Sequence, residues 1–452
     1  MARKRIVTLL ILLLILGSLL LTGVYIYKSG LVPPKQLKEN RQGASLVGLA
    51  DATDNIHLDL IFNDKKLQDP HELVGNIQYL WGPFANQPID PSIYTSAYVP
   101  LDWPAYIRVS FDWWKVNHPD WIVYKCDKIT PAFVDPSYPN SVPLDISNPA
   151  VRNYQWDIYI MPFLKKGNNS IGFDNVLLEN YSGKCGVWRN GVWKQLYSGK
   201  YNDPVYAHEV IDWAKEVYTR IHNYSSLAGV VFNMNILNSP ISYRQLAPYA
   251  DIILDEGGLT NFGNARKNYI TDNQWLVQIQ TIQNIIKLGK GFILNAYEPE
   301  MSYSDISSQE VQWDLSNYLL IKGRHTFTYV SVNPNSPVWR TFSDRPEYHV
   351  LIGHPISDIY ASQGVYMRMY SNGLAIVNPS STNSYHLNFG RPYQDVQGNT
   401  ITSYTIEVHS GLILLNKMGT LSDAIPPALC RNFGVVVYAS IDKRKQKFYR
   451  VV

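Results

Sequence analysis

The sequence predicts an α/β protein, a (β/α)8 TIM barrel followed by a small antiparallel β-sandwich and preceded by an N-terminal transmembrane helix. Three observations predict it. A charge-free apolar run opens the 452-residue chain. Eight short β-rich runs then follow over about 280 residues, the later ones separated by helix-like stretches. From Gly364 onward, strand-like runs succeed one another with no helix between them.

The apolar run comes first. Arg3-Lys4-Arg5 precedes Ile6–Tyr27, which carries no charge. At about 1.5 Å per residue it spans about 33 Å, enough for a hydrocarbon core of about 30 Å. Basic residues ahead of it predict a cytoplasmic stub and a body outside the cytoplasm. A cleavable signal peptide is the competing reading, and Thr22–Tyr27 offers it a poor cleavage site. The expected divisions are a stub and anchor over 1–30, a stalk over 31–48, the barrel over 49–360, the sandwich over 361–418, and a basic tail over 419–452 with no assigned role. Membrane contact is expected through residues 6–27.

The barrel strands are expected at Ile56–Phe62, Ile77–Trp81, Trp121–Tyr124, Ser170–Leu177, Gly229–Asn235, Asp251–Glu256, Gly291–Tyr297 and Thr326–Val332. Several are near-continuous apolar runs, as parallel strands covered on both faces require. Pro204–Tyr224 has a helical stripe at Val210, Ile211, Ala214, Val217, Tyr218 and Ile221, and Trp275–Leu288 and Val311–Ile321 resemble it. A doubly wound open sheet is the alternative, but no Gly-rich phosphate loop follows the first strand. In the sandwich, Val365–Tyr370 and Leu374–Val377 flank an Asn- and Gly-bearing turn, and runs follow at Ser384–Phe389, Ile401–Val408 and Leu412–Leu415.

Composition narrows the function. The chain is 46% hydrophobic and 17% charged, which excludes a disordered or fibrous protein. The net charge of +3 hides a split: residues 1–41 carry +6 and residues 417–452 carry +5, leaving −8 on the body. Such a body is a poor nucleic-acid binder, because that affinity rests on neutralising phosphates. The 32 Tyr and 12 Trp supply rings with polar edges, suited to sugars as well as to cores. Cys126, Cys185 and Cys430 allow at most one intrachain disulfide, expected between Cys126 and Cys185. No metal-ligand spacing is visible, and no cofactor is expected.

Active sites of such barrels are built at the carboxyl ends of the strands. Here those ends carry Asp174-Asn175 with Glu179 beyond, Asn233 and Asn235, Asp255-Glu256-Gly257-Gly258, and Asn295, Tyr297 and Glu298. Carboxylates converging from separate strands are what acid-assisted cleavage of a glycosidic bond requires, one protonated to donate and one ionised to attack or activate water. Asp174 and Glu256 are therefore candidates for these roles. Asn175, Asn233, Asn295, Tyr297 and Glu298 are expected to contact sugar, and Trp81, Trp113 or Trp114 to stack on it. Asp255 precedes Glu256, and alternation alone leaves open which of the two points inward. The bland reading of Asp174-Asn175 is a turn or a helix cap. His118 and His325 lack a nearby nucleophile, so a hydrolase triad has little support.

Taken in order, HPDW (His118–Trp121), PLDISNPAVRNY (Pro143–Tyr154), SIGFDNV (Ser170–Val176) and ILDEGG (Ile252–Gly258) resemble the glycoside-hydrolase-like barrel family related to the endo-α-1,4-polygalactosaminidases. YMRMYSNGLAIVNPS (Tyr366–Ser380), YQDVQG (Tyr393–Gly398) and SGLILL (Ser410–Leu415) resemble the β-sandwich that follows such barrels. The resemblance implies glycoside hydrolysis, with Asp174 and Glu256 carried over as the acidic pair and a polysaccharide as the partner. The sequence departs from that family in lacking an Asp-Gly ahead of the SIGFDNV strand and in its basic tail. The alternatives are a glycan-binding surface protein on a barrel that has lost catalysis, and a membrane-bound assembly factor that docks through the tail.

Overall fold

A computed structural model describes residues 56–83, 87–103, 110–133, 141–234, 240–263 and 269–417. The expected anchor, stalk and basic tail, with Asn235 and Cys430, lie outside the described residues. Among the described residues, no helix is long and apolar enough to cross a membrane.

Eight parallel strands form one sheet: β1 (Asp59–Ile61), β2 (Tyr79–Trp81), β3 (Tyr94–Pro100), β4 (Ser170–Asp174), then, beyond a separate hairpin of β5 (Gly186–Arg189) and β6 (Val192–Gln195), β7 (Gly229–Asn233), β8 (Ile252–Asp255), β9 (Gly291–Tyr297) and β10 (Thr326–Ser331). A parallel bridge, Leu58 to Thr328, joins β10 back to β1 and closes the barrel. Seven of the eight expected strands are present. The third is not: Trp121 ends a short 3-10 turn, and Tyr124 only bridges Pro131 and Gly186 in a side excursion. The strand in its place, β3, escapes an apolar-run search because Ser96 and two tyrosines face the interior, where Tyr79 and Ser170 bond to the Ser96 hydroxyl.

Alternation along each strand sorts the side chains. Tyr79, Trp81, Tyr98, Leu254, Ile293 and Phe327 fill the interior. Phe173, Phe232, Ile253 and Phe292 face outward onto helices, against residues such as Trp213 and Ile282. The excursion after β3 carries α1 (Phe111–Asn117), α2 (Pro149–Gln155) and α3 (Met161–Lys165), the last two joined by a π-helical turn. Helix α4 (Pro204–Tyr224) starts where Asp203 accepts from the amides of Val205 and Tyr206, with Pro204 at its first position. It buries Val210, Ala214, Val217 and Ile221 of the expected stripe and adds Trp213, while Ile211 and Tyr218 are half-buried. Beyond it come α5 (Pro240–Leu246), α6 (Asp272–Lys287) and α7 (Ser308–Ile321). A Ser307–Glu310 capping box opens α7. This helix is buried almost all round because it lies between the barrel and a second sheet.

That second sheet corrects the expected sandwich. It is one six-stranded antiparallel sheet ordered β11 (Tyr360–Ser362), β12 (Val365–Tyr370), β13 (Gly373–Asn378), β16 (Ser410–Asn416), β14 (Tyr385–Gln394) and β15 (Thr400–Ile406). It curls about its own apolar face, which gathers Val365, Ile376, Leu387, Ile406 and Leu414. Its other face sets Tyr370, Ala375 and Ile413 against Val311, Leu315 and Leu319 of α7.

The segments after β3 and β4 are sewn together by the expected Cys126–Cys185 disulfide, which spans 59 residues with a Cα–Cα distance of 5.1 Å. Beside it, Lys184 and Asp102 form a buried ion pair at 2.8 Å. Replacing both cysteines by alanine is expected to lower stability by about 2–4 kcal/mol, chiefly by freeing the unfolded chain. Urea unfolding of the oxidised protein and the variant measures the difference, and coincident midpoints would refute it.

Candidate active site

The site begins with a floor. Trp81 is 1% exposed, and its ring lies against Gly172 of β4, where a Cβ would come within 2.5 Å of the ring. Ser170, Gly172 and Asp174 share the inward face of β4, so Asp174 stands above this floor at the barrel's carboxyl end. Its Oδ2 accepts from the Tyr98 hydroxyl at 2.7 Å, and its Oδ1 accepts from the Asn175 amide at 2.9 Å. The chain turns immediately: Asn175 has φ 55°, a left-handed conformation that Asn tolerates better than most residues.

Asn233 ends β7. Its Nδ2 donates to Asp174 Oδ1 at 2.9 Å and to Glu256 Oε2 at 2.8 Å. Those two carboxylate oxygens therefore lie within about 5.7 Å of each other, the combined length of the two bonds. The other oxygen of Glu256, Oε1, accepts from the Tyr297 hydroxyl at 3.0 Å. Burial pushes Glu256 up to about 7, and the charge of Asp174 adds to this, while the Asn233 and Tyr297 donors oppose it. Asp174 is also held above the usual carboxylate range by burial, against the donors Tyr98, Asn175 and Asn233. Burial and the neighbouring Glu256 hold Tyr297 well above its ordinary value, so it stays a donor.

Strand parity settles Asp255 against Glu256. Ile252 and Leu254 face the interior, which turns Glu256 inward and Asp255 out toward α6. There Asp255 accepts from Gln278 Nε2 at 2.7 Å. Burial pushes it up to about 7 despite the Gly258 and Gly257 amides and Gln278. The glycines after Glu256 serve close packing: Gly258 has φ +51°, and a Cβ there would lie 1.9 Å from the Asn295 carbonyl oxygen. The loop brings Phe262 over Gly257. Asp174, Asn175, Leu177, Asn233, Asp255, Glu256, Gly257 and Phe262 line an open cleft of about 220 Å³.

Of the residues expected from sequence, Asp174, Asn175, Asn233, Glu256 and Tyr297 come together here. Asn233 and Tyr297 do so as partners of the carboxylates. Trp81 is beneath the cleft, so its ring is closed to a sugar. Asn295 is 1% exposed inside the barrel and does not line the cleft. Glu298 is fully buried, where Tyr269 donates to it and Asp314 hydrogen-bonds it. Its carboxylate gathers with those of Glu300 and Glu310, all within 4.8 Å of one another, the one such acidic group among the described residues. Glu179 bonds Ser242 at 3.0 Å. Trp113 and Trp114 pack with His118 and Tyr154 in the excursion. Sequence reasoning missed Tyr98 and Phe262, and also Trp339, which meets Phe62 and Tyr297 edge-on. The alternation Tyr94, Ser96, Tyr98 was the available signal for Tyr98. Phe262 and Trp339 sit in irregular segments that carry no period.

A family model described as "Hypothetical glycosyl hydrolase family 15" matches residues 102–374. No curated protein matches the chain. Similar solved structures include an alpha-amylase from Anoxybacillus, 10% identical, covering 82% of this chain and 99% of that one at a TM-score of 0.47. A noncanonic maltogenic alpha-amylase from Thermotoga neapolitana is 12% identical over 81% of this chain and 97% of its own, at 0.48. An alpha-amylase from Geobacillus thermoleovorans is 10% identical over 81% and 99%, at 0.46.

Proposed function

The chain belongs to hypothetical glycosyl hydrolase family 15, and from that premise we propose that it is a retaining glycoside hydrolase whose catalytic pair is Asp174 and Glu256. The observation that carries this reading is the single Asn233 amide bonded to both carboxylates. Retaining enzymes place their carboxyls about 5–5.5 Å apart, and inverting ones about 6.5–9.5 Å apart to admit a water. The two oxygens that meet at Asn233 lie at most about 5.7 Å apart, a short separation that favours the retaining arrangement over one with a water between the acids.

The roles divide by environment. Asp174 receives four donors, the Tyr98 hydroxyl, the backbone and side-chain nitrogens of Asn175 and the Asn233 amide, which favour its ionised form, so it attacks the anomeric carbon. Glu256 receives two and stays protonated to about pH 7, so it gives its proton to the departing glycosidic oxygen. The sugar is left as an ester on Asp174. Glu256, now ionised, takes a proton from water, whose oxygen attacks the same carbon and releases Asp174. The net result is one glycosidic bond hydrolysed with retained configuration.

The substrate on this reading is a polysaccharide met outside the cytoplasm, by a body held at the membrane through residues 6–27. The Cys126–Cys185 disulfide supports an oxidising compartment. The test is a chain beginning near Arg41, incubated with glycan polymers that include amino-sugar and galactose-containing ones. New reducing ends are counted, and the configuration of the first product is read by NMR. Retained product supports the reading, inverted product refutes the division of roles, and binding without release leaves a glycan-binding barrel. Because Glu256 must hold its proton to act as the acid, kcat/KM is expected to fall as pH rises through about 7. A profile flat to pH 9 would exclude Glu256 as that acid.

A further inference from the structure

Two acids within about 5.7 Å of each other in a half-buried cleft repel when both are ionised, and the usual outcome is that they share one proton. Here the space between them holds a donor group with no charge of its own. The Asn233 amide nitrogen, which carries two hydrogens, donates to both Asp174 Oδ1 and Glu256 Oε2. The outer oxygens each take a tyrosine hydroxyl, Tyr98 on Asp174 and Tyr297 on Glu256. The row Tyr98, Asp174, Asn233, Glu256, Tyr297 is drawn from five different strand ends, and its middle member alone touches both acids.

Resting on the reading of those acids as the catalytic pair, we propose that Asn233 is the positioning residue of the site: one nitrogen sets the gap between attacker and acid and holds each by a hydrogen bond that favours its ionised form. An aspartate at this position would add a third negative charge, and a serine could serve only one partner at a time. An amide carried on the rigid end of β7 serves both.

Among the described residues, the charged and titratable groups around the row include Asp102, Asp255 and Tyr181, with Asp59 and Tyr303 acting on Tyr297. Tyr98 comes from β3, and Asp102 behind it is tied to Lys184 at 2.8 Å. Tyr297 comes from β9. Asp255 turns away toward Gln278, and Tyr181 donates to Asn175 Oδ1 at 3.2 Å.

The test reads the two carboxyls directly and needs no substrate. Difference infrared titration of the carboxyl stretch is recorded on the folded protein, with Asp174→Asn and Glu256→Gln used to assign each band. Asn233→Leu, similar in shape but without donors, is expected to move both titrations up by roughly one pH unit. Asn233→Ser, the milder change should the leucine variant not fold, is expected to move at least one of them. Wild-type titrations in either folded variant, or a shift confined to one carboxyl in Asn233→Leu, would overturn the proposal. Turnover that survives in Asp174→Asn and Glu256→Gln would instead fail the catalytic reading and leave the titration result standing.

Discussion

Asp174→Asn is expected to stop reducing-end release, while Glu256→Gln slows it by about 10²–10⁴-fold and only for substrates whose leaving group needs a proton. The two losses differ because the two acids do different things. Removing the attacking carboxylate removes the covalent route itself, whatever the leaving group. Removing the acid leaves the attack intact, so a glycosyl fluoride, whose departing ion needs no protonation, should still load the Glu256→Gln variant. That variant should then accumulate the ester on Asp174, because the same residue is missing as the base for the second step. Mass spectrometry of the protein after brief exposure to the fluoride reads this directly as an added sugar. Equal losses on all leaving groups, with no accumulated ester, would refute the division of labour. Both variants keep the size and shape of the original side chain, so unfolding is not expected to confuse the result.

Lys184→Met is expected to cost about 3–5 kcal/mol of stability, the usual effect of removing one partner from a buried ion pair. The side chains of Lys184 and Asp102 are 2% and 3% exposed, and Lys184 also donates to Ser182 Oγ at 2.8 Å and to the Tyr206 hydroxyl at 3.3 Å. Methionine fills the space of the lysine stem but leaves the Asp102 carboxylate without its cation. Changing Asp102 to leucine in the same molecule removes the stranded charge, and much of the loss should return, since apolar replacement of both partners is often neutral. Denaturant midpoints of the single and double variants measure this. A single variant within about 1 kcal/mol of the parent, the ordinary size of a point-mutant effect, would show that the pair is not needed.

Most of the barrel was legible because its outward strand positions are apolar and its long helices carry a stripe. Pro204–Tyr224 was read to the residue, since its proline start and buried stripe are both local features. Tyr94–Pro100 was not legible, because its inward residues make interior hydrogen bonds instead of an apolar run, whereas the aromatic Trp121–Tyr124 imitates a strand while serving a side cluster. The single curled sheet read as a sandwich because alternation records two faces and not what covers them. At the site, the two acids were legible by type and place. Their neighbours are placed differently from one another: Asn233 and Tyr297 bond the acids, and Glu298 and Trp81, read as open to a ligand, are enclosed. Polarity at a strand end does not say whether a group turns to the ligand or to its neighbours. Parity along a strand does, once the register is known, as it separates Glu256 from Asp255.

The disulfide has a consequence for durability. Cys126 lies before β4 and Cys185 after it, so the strand that ends in Asp174 is part of a closed covalent ring. A protease that cuts once anywhere inside that ring opens it without parting the protein, because the two cut ends remain tethered through sulfur. Outside a cell, where such cuts are frequent and thiols are scarce, the segment bearing Asp174 can be nicked and still be held in its barrel until a reductant arrives.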